Sequence, residues 1–229
     1  MSKANLVAVI VAAGIGKRVG ADIPKQYLTL LGKTIIEHSL TPFVEHPDIS
    51  EVIVSIAKND TWFAQLDIAD HPKIKVVEGG AERVNSVLSA LQVIAGDDYV
   101  LVHDAARPCI TRSDIDKLIA NVMLSKQGAI LASRVRDTMK RSDQHGQISN
   151  TVERENLWHA LTPQMFQNKA LLKAINSIKE PQKITDEASA MEMSGLPVTI
   201  VEGRSDNLKV TREEDLQIAA LYLSQKGKI

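Results

Sequence analysis

Apolar and polar positions along this chain follow two patterns, one typical of buried strands and one typical of amphipathic helices. The first apolar run, Leu6–Val11, is unbroken and rich in β-branched residues, and small residues follow it. A run of this kind predicts a strand that is buried on both faces, as strands are in a parallel sheet. Similar runs predict further strands at residues 51–57, 73–78, 99–103, 128–133 and 197–201.

Helical spacing of apolar residues appears between these strands and after them. Helices are predicted at residues 34–46, at 82–95, from Ser113 or Asp114 to about Ser125, at 168–178, and from the capping sequence Thr185-Asp186-Glu187 to Ser194. Thr211-Arg212-Glu213-Glu214 has the form of a capping box that opens a last helix through Leu223. Strands that alternate with helices through residue 133 predict the α/β class, with a single doubly wound, mostly parallel sheet.

Residues 134–154 interrupt this alternation. They are polar, they turn around His145-Gly146, and they offer little to bury. We expect a β-hairpin arm that projects from the sheet, and its unpaired edges need a cover. A second subunit is the simplest cover, so the arm predicts a homodimer; a mobile loop is the alternative.

Composition bounds the classes of function. The 229 residues are 44% hydrophobic and 24% charged, which suits one domain over residues 1–229 with the arm inside it. The net charge of −1 and the 3% aromatic content argue against a nucleic-acid or membrane partner. Cys109 is the single cysteine, and no apolar run reaches the length of a membrane helix, so we expect a cytoplasmic protein.

The segment after the first strand carries Gly14, Gly16, Lys17, Arg18 and, further on, Lys25. Glycines let a backbone approach a ligand closely, and cations with exposed amides form an anion cradle. The segment is not a dinucleotide fingerprint or a P-loop, because their required glycines and Ser/Thr are missing. It predicts a phosphate site of another kind; a plain glycine turn with solvated cations, or a secretory signal, is the alternative.

Two other strand ends carry distinctive residues. Asp104 follows a buried strand, where a carboxylate suits Mg²⁺ shared with substrate phosphates; its alternative is a turn cap. Gly79-Gly80 permits close approach of a flat ligand, with Ser86 nearby, or else forms a plain turn. Ligands of open α/β sheets bind beyond the carboxyl ends of the strands. His103 ends an apolar strand, so we expect it to be packed and leave it out of the chemistry.

Several motifs in this order resemble the 2-C-methyl-D-erythritol 4-phosphate cytidylyltransferases, essentially from end to end. They are Ala12-Ala13-Gly14-x-Gly16-x-Arg18, Pro24-Lys25-Gln26-Tyr27, Gly79-Gly80, Val102-His103-Asp104-Ala105-Ala106-Arg107-Pro108, Val135-Arg136-Asp137-Thr138, Leu157-Trp158-x-x-Leu161-Thr162-Pro163-Gln164, Thr185-Asp186-Glu187-Ala188 and Lys209-Val210-Thr211. The resemblance implies a nucleotide-diphospho-sugar-transferase-like fold. It also implies the reaction of CTP with methylerythritol 4-phosphate to give CDP-methylerythritol and pyrophosphate, with Mg²⁺.

The chemistry of that reaction agrees with the residues. The attacking phosphate monoester is mostly ionised near neutral pH because its second pKa is about 6, so no general base is required. The protein must hold two anions in line and neutralise charge as pyrophosphate leaves, for which cations and backbone amides are suited.

The resemblance assigns roles to residues of this sequence. The catalytic set is Arg18, Lys25, Arg154 and Lys209; the CTP-binding set is Ala12, Ala13, Gly14, Gly79, Gly80, Ser86 and Asp104; the acceptor-binding set is Ala105, Arg107, Thr138 and Thr185; and Asp104 is the candidate magnesium ligand. In the family the arm crosses to the other subunit, so Thr138 and Arg154 are expected to complete the partner's site.

Two positions depart from the family pattern. Val11 stands where proline is frequent, with little expected effect. Ala81 stands where an acidic residue is frequent, and it puts the affinity for CTP in question. Two alternatives remain: a cytidylyltransferase for another polyol phosphate, such as ribitol 5-phosphate, and a catalytically silent nucleotide-binding dimer.

Overall fold

The computed structural model describes residues 5–14 and 23–225. The strands are β1 (Leu6–Val11), β2 (Thr29–Leu30), β3 (Lys33–Thr34), β4 (Ile49–Ile56), β5 (Ile74–Glu78), β6 (Tyr99–Asp104), β7 (Gly128–Arg134), β8 (Met139–Ser142), β9 (Ile148–Val152), β10 (Trp158–Gln167) and β11 (Val198–Glu202). The helices are α1 (Ile35–Val44), α2 (Arg83–Leu91), α3 (Arg112–Ser125), α4 (Asn168–Ser177), α5 (Glu187–Met193) and α6 (Glu213–Gln225).

Seven strands form the central sheet, in the order β11-β7-β10-β6-β1-β4-β5. Strands β6, β1, β4 and β5 run parallel to their neighbours in this series, and β11 is parallel to β7. The predicted fold class, a mostly parallel α/β sheet, is therefore confirmed. The six predicted strands of this sheet are all present, with ends that differ by one or two residues.

Strand β1 shows why its sequence is apolar throughout. Ala8 and Ile10 face one core, which packs against α1 and α3. Val7 and Val9 face the other core, which packs against α2, α4 and α5. Because side chains alternate between the two faces of a strand and both faces are covered, a continuous apolar run is required.

Strand β10 was not predicted. It lies antiparallel between β6 and β7, and its register shifts between Ala160 and Gln164, around Pro163. Proline cannot donate to a sheet ladder and is confined to edges and irregular positions. The polar Thr162-Pro163-Gln164 segment therefore masks the strand in the sequence, and the irregularity accommodates it.

Two helix boundaries also differ from the prediction. Helix α2 ends at Leu91 rather than Ala95, because the Asn168 side-chain amide donates to the Leu91 and Ile94 carbonyls, at 3.1 and 2.8 Å. The predicted capping box over residues 211–214 named the wrong acidic residue. The Asp215 carboxylate, rather than Glu214, accepts from the Thr211 amide and hydroxyl, at 2.7 and 2.9 Å.

The predicted arm is a hairpin. Strands β8 and β9 pair antiparallel as a separate two-stranded sheet, and their turn includes Gly146 at a φ of +80°. Most of its side chains are exposed, including Ile148 at 67%. Within the described residues, no helix is long and apolar enough to cross a membrane.

Candidate active site

The sheet register brings three strand ends to one edge. Val11 at the end of β1 pairs with Ser55 on β4 and with Asp104 on β6. The amide of Gly79, just after β5, donates to the Ile56 carbonyl at 2.7 Å. A cleft of about 210 Å³ opens above these ends, and its lining includes Ala12, Ala13, Gly14, Lys25, Gly80, Ala81, Arg83, Ser86, Asp104, Ala105 and Lys209.

The segment after β1 is held by its own downstream sequence. The buried Gln26 side chain donates to the Ala12 carbonyl at 2.7 Å and to the Gly14 carbonyl at 3.2 Å. The Tyr27 hydroxyl donates to Asp60 at 2.6 Å. The Gln26 bonds hold the Ala12–Gly14 segment against the segment around residue 26, and they give Gln26 a role that the motifs did not indicate. The predicted catalytic residue Arg18 lies outside the described residues.

Lys25 and Lys209 lie in the same cleft although they are far apart in the sequence. Both line it, and Lys25 Nζ donates to the Val210 carbonyl at 3.0 Å. That bond ties the segment that follows β1 to the segment that precedes α6. Two predicted catalytic cations therefore lie in one cleft.

Glycine is required at both positions of the predicted base-binding pair. A Cβ on Gly79 would lie 2.5 Å from Ala13 Cβ and 2.7 Å from Ser55 Oγ, and one on Gly80 would overlap Asn85. The Gly80 amide donates to Ser86 Oγ at 3.2 Å, so the first turn of α2 holds the glycine loop against β1. Gly79 itself packs beneath the cleft, whereas Gly80 and Ser86 line it.

Asp104 sits among three cations. Its Oδ1 accepts from Arg83 Nε at 3.1 Å, and its Oδ2 lies 2.8 Å from Lys209 Nζ and 3.7 Å from Arg107 Nε. Burial alone would raise the pKa of Asp104, but Arg83, Lys209 and Arg107 outweigh it and hold this pKa well below its usual range. Asp104 is therefore ionised at any physiological pH.

A buried hydrogen-bond chain orients the turn that carries Asp104. The Asp104 amide donates to Thr162 Oγ1 at 3.2 Å, and that hydroxyl lies 2.9 Å from His103 Nδ1. His103 Nε2 lies 3.2 Å from the Arg107 carbonyl, which requires the Nε2–H tautomer. Burial lowers the pKa of His103 to about 3. His103 is thus a neutral, fully packed residue, as predicted.

A second cleft, of about 290 Å³, adjoins the first. It is lined by Arg83, Asp104, Arg107, Ala160, Leu161, Thr162, Gln164, Thr185, Asp186 and Lys209. Arg83, Asp104 and Lys209 line both clefts and mark the border between them. Of the predicted acceptor-binding residues, Arg107 and Thr185 lie here, while Ala105 lines the first cleft instead.

Thr138 and Arg154 lie elsewhere in this subunit. Thr138 is exposed just before β8, and Arg154 is exposed just after β9. The Arg154 guanidinium donates to the Arg136 carbonyl at the base of the arm. Neither residue lines the two clefts of its own subunit.

Asp104 is also the predicted magnesium ligand. The described residues contain no group of three or more His, Cys, Asp or Glu side chains suited to a metal ion. Both Asp104 oxygens face cations, as given above. Mg²⁺ is commonly held by one or two carboxylates together with substrate phosphates. Asp104 therefore does not form a metal site by itself, and a magnesium ion here would need further oxygen ligands from a bound triphosphate.

The arrangement suits the transfer of a phosphorylated group. It combines Lys25 and Lys209 with the backbone of Ala12, Ala13, Gly14 and Gly80 in a cleft that adjoins a second polar cleft, and the buried His103 beside it is held neutral. Such a site stabilises developing phosphate charge without proton abstraction.

Comparisons with known proteins agree over nearly the whole chain. Residues 6–225 match the family model described as 2-C-methyl-D-erythritol 4-phosphate cytidylyltransferase. The chain is 58% identical over 224 residues to the protein of that name from Aeromonas hydrophila, covering 97% of this chain and 91% of the relative. It is 51% identical over 225 residues to the one from Vibrio cholerae, covering 96% and 97%.

Solved structures show the same fold. The crystal structure of the Francisella tularensis 2-C-methyl-D-erythritol 4-phosphate cytidylyltransferase has a TM-score of 0.82 at 39% identity, covering 96% of this chain and all of that one. A 4-diphosphocytidyl-2C-methyl-D-erythritol synthase has a TM-score of 0.83 at 36% identity with the same coverage.

Proposed function

The chain belongs to the 2-C-methyl-D-erythritol 4-phosphate cytidylyltransferase family, and on that premise we propose that it joins CTP to methylerythritol 4-phosphate and releases pyrophosphate. The observation that carries this proposal is the meeting of two clefts at Asp104 and Lys209. The first cleft takes CTP, and the second takes the phosphorylated acceptor. The reaction contributes to isoprenoid precursor synthesis.

The acceptor phosphate attacks the α-phosphate of CTP in line with the departing pyrophosphate. The new bond joins an acceptor phosphate oxygen to the α-phosphorus, and the bond from that phosphorus to the β-phosphate oxygen breaks. Lys25 and Arg18 neutralise charge at the α-phosphate, and Lys209 holds the attacking phosphate. Because that phosphate is largely dianionic at neutral pH, with a pKa of about 6, no side chain has to remove a proton.

The glycine loop binds the base. The missing Cβ atoms let Gly79 pack close to Ala13 and Gly80 pack close to Asn85, and this close packing holds the Gly80 backbone at the wall of the cleft. Amides of Ala13 and Gly14 and the Ser86 hydroxyl supply polar contacts to the nucleotide, whereas the Ala12 amide already donates to the Ser55 carbonyl at 2.8 Å. Ala81, exposed at the rim, contributes no carboxylate to it.

Mg²⁺ is the proposed cofactor. When bound with CTP, it would neutralise charge on the triphosphate and on the leaving pyrophosphate. Asp104 is the described residue of the cleft best placed to contact it.

The arm completes the site of a second subunit in this proposal. Residues 134–154 are mostly exposed, and both Thr138 and Arg154 lie outside the clefts of their own subunit. A homodimer in which the arms cross would bring these residues to the partner's acceptor phosphate and would cover the hairpin edges. One domain of residues 1–229 then carries both the site and the dimer contact.

Mixing inactive variants tests the crossing. We expect Arg154→Ala and Lys209→Ala homodimers each to lose activity, and each mixed dimer to regain about half of it because one of its two sites is intact. An equimolar mixture, in which about half of the dimers are mixed, should therefore regain about a quarter. Mixtures that stay inactive, although mass spectrometry shows heterodimers, would make the arm a lid on its own subunit.

The reaction itself is tested by pyrophosphate release with CTP and Mg²⁺. We expect release with methylerythritol 4-phosphate and not with ribitol 5-phosphate. The reverse result would keep the mechanism but change the acceptor, and CTP binding without release to either acceptor would identify a catalytically silent dimer.

The proposal places the enzyme in the cytoplasm. The sequence has a single cysteine, Cys109, which is buried, and such sparing use of cysteine is typical of proteins in reducing compartments.

A further inference from the structure

Arg83 and Glu187 form a buried ion pair beside Asp104 to which the proposed reaction assigns no task. Arg83 Nη1 and Nη2 donate to the two Glu187 carboxylate oxygens at 2.6 and 3.1 Å. The remaining guanidinium donor, Nε, binds Asp104 Oδ1 at 3.1 Å. One side chain at the start of α2 thus joins the carboxyl end of β6 to the first residue of α5.

The burial of Glu187 explains why the pair is firmly held. Its side chain is only 2% exposed, and a buried carboxylate without a partner is strongly unfavourable. Burial alone would lower the pKa of Arg83, but Glu187 and Asp104 outweigh it and raise this pKa above its usual value. The guanidinium is therefore a permanent charge with a fixed orientation, set by a bidentate contact.

Arg83 lies at the border between the two clefts, where it can influence the reacting groups. Arg83, Asp104 and Lys209 are the residues that line both clefts. Arg83 occupies Asp104 Oδ1, so Lys209 Nζ contacts the other oxygen, Oδ2, at 2.8 Å. The Lys209 side chain is 38% exposed, and it lines the second cleft, to which the proposed function assigns the acceptor phosphate.

We infer that Arg83, held by Glu187, is a positioning residue that orients the Asp104 carboxylate and through it the Lys209 ammonium at the border of the two clefts. This inference rests on the proposed function, because it assigns Lys209 to the acceptor phosphate. With Oδ1 neutralised by Arg83, Asp104 holds Lys209 through one oxygen and competes weakly with the phosphate. Without Arg83, both oxygens become available to Lys209 and Arg107, and the ammonium is drawn away from the acceptor.

Three variants separate positioning from a purely structural role. Arg83→Met removes the charge and keeps much of the side-chain length. Arg83→Lys keeps the charge but cannot bind two carboxylates through separate fixed nitrogens. Asn168→Ala is the matched control, since Asn168 is buried and caps the opposite end of the same helix, far along α2 from the clefts.

Steady-state kinetics give the first readout. We expect Arg83→Met to lower kcat about 100-fold and Arg83→Lys to lower it about 10-fold, while the Kd for CTP changes less than about threefold. Asn168→Ala is expected to lower Tm and leave kcat per folded molecule unchanged. The inference fails if Arg83→Met keeps kcat within about threefold of wild type, or if its CTP affinity falls as far as its kcat.

Crystal structures of the unliganded wild type and Arg83→Met give a readout that does not depend on activity. We expect the Asp104 carboxylate to rotate in the variant and to contact Lys209 through both oxygens. An unchanged Asp104–Lys209 pair would overturn the inference. Wild-type protein that releases no pyrophosphate with any acceptor would instead overturn the proposed function, so the two failures are distinguishable.

Discussion

The sheet edge and the arm are both rich in charged residues, but the structure treats these charges in opposite ways. At the edge, Asp104 is 7% exposed and has three cationic neighbours, while Glu187 is 2% exposed and fully paired. On the arm, nearly every side chain is exposed. Exposed ion pairs contribute about 0–1 kcal/mol, whereas breaking a buried pair costs about 3–5 kcal/mol.

This contrast separates two uses of charge. The buried network holds its groups in one geometry before any ligand arrives, as catalysis by positioning requires. The arm pairs only within itself as a two-stranded sheet, and its mostly exposed side chains contribute little to the two cores. Changes at the sheet edge should therefore alter chemistry or folding, and changes on the arm should alter association.

The largest expected effect is on turnover. Lys25→Ala removes a cation from the cleft, and we expect kcat to fall about 10³-fold with Tm nearly unchanged, because charge at the α-phosphate is then poorly stabilised. Lys140→Ala on the arm is the control, and it should keep kcat. Near-normal turnover of Lys25→Ala by pyrophosphate release would remove Lys25 from the chemistry.

The second-largest effect is the pH dependence of stability, which should depend on the sheet edge and not on the arm. His103 is neutral in the fold, where its pKa is about 3, and it protonates near pH 6.5 when unfolded. The unfolded state therefore binds more protons below that pH, and the free energy of unfolding should fall by about 3 kcal/mol between about pH 6.5 and 4.

Urea unfolding across this pH range measures the effect. His103→Gln should flatten the curve, while the exposed His145→Gln on the arm should leave it unchanged. If the free energy of unfolding of His103→Gln depended on pH as steeply as that of the wild type, other groups would be responsible for the dependence. Asp104 adds its own loss only at lower pH, because its depressed pKa keeps its stabilisation intact above about pH 4.

The glycine loop gives a smaller effect. Gly80→Ala places a Cβ against Asn85, and we expect a loss of about 2 kcal/mol in unfolding free energy together with weaker CTP binding. Gly14→Ala has open space at its Cβ, so its Tm should not change. Equal Tm values for the two variants in a thermal melt would show that the loop relaxes freely.

The smallest effect is expected on the arm. Ile148 is 67% exposed in the single chain, and Ile148→Glu should weaken dimerisation by about 1.5 kcal/mol, close to tenfold in Kd, because a buried apolar side chain is lost from the interface. Sedimentation equilibrium measures this change. Unchanged association would move the dimer contact away from the arm.

Much of the fold followed from local pattern. The six predicted strands of the central sheet, the hairpin arm and the positions of the helices are recovered, because strand and helix periods are written in consecutive residues. Strand β10 was not predicted because Pro163 interrupts its apolar pattern. Its place between β6 and β7 depends on pairing with strands that are distant in sequence.

Some residues of the candidate site were predicted from the sequence, and others were revealed only by the structure. Lys25, Gly80, Ser86, Asp104 and Lys209 were named from motifs, and the structure brings them to one cleft. Arg83, Glu187, Thr162 and Gln26 were not assigned roles, although Gln26, Thr162 and Glu187 lay within recognised motifs. Their importance comes from partners, and Arg83 and Glu187 are 104 positions apart in the chain.

The sequence by itself determined the α/β class, the glycine pair and the cations of the cleft, since each depends on residue type and local spacing. Tertiary structure alone decided the insertion of β10, the hydrogen bonds that link Thr162 with His103 and with the Asp104 amide, and the Arg83–Glu187 pair. The physical reason is that hydrogen-bonding and ionic partners are selected by sheet register and helix packing, which bring distant segments together only when the whole chain has folded.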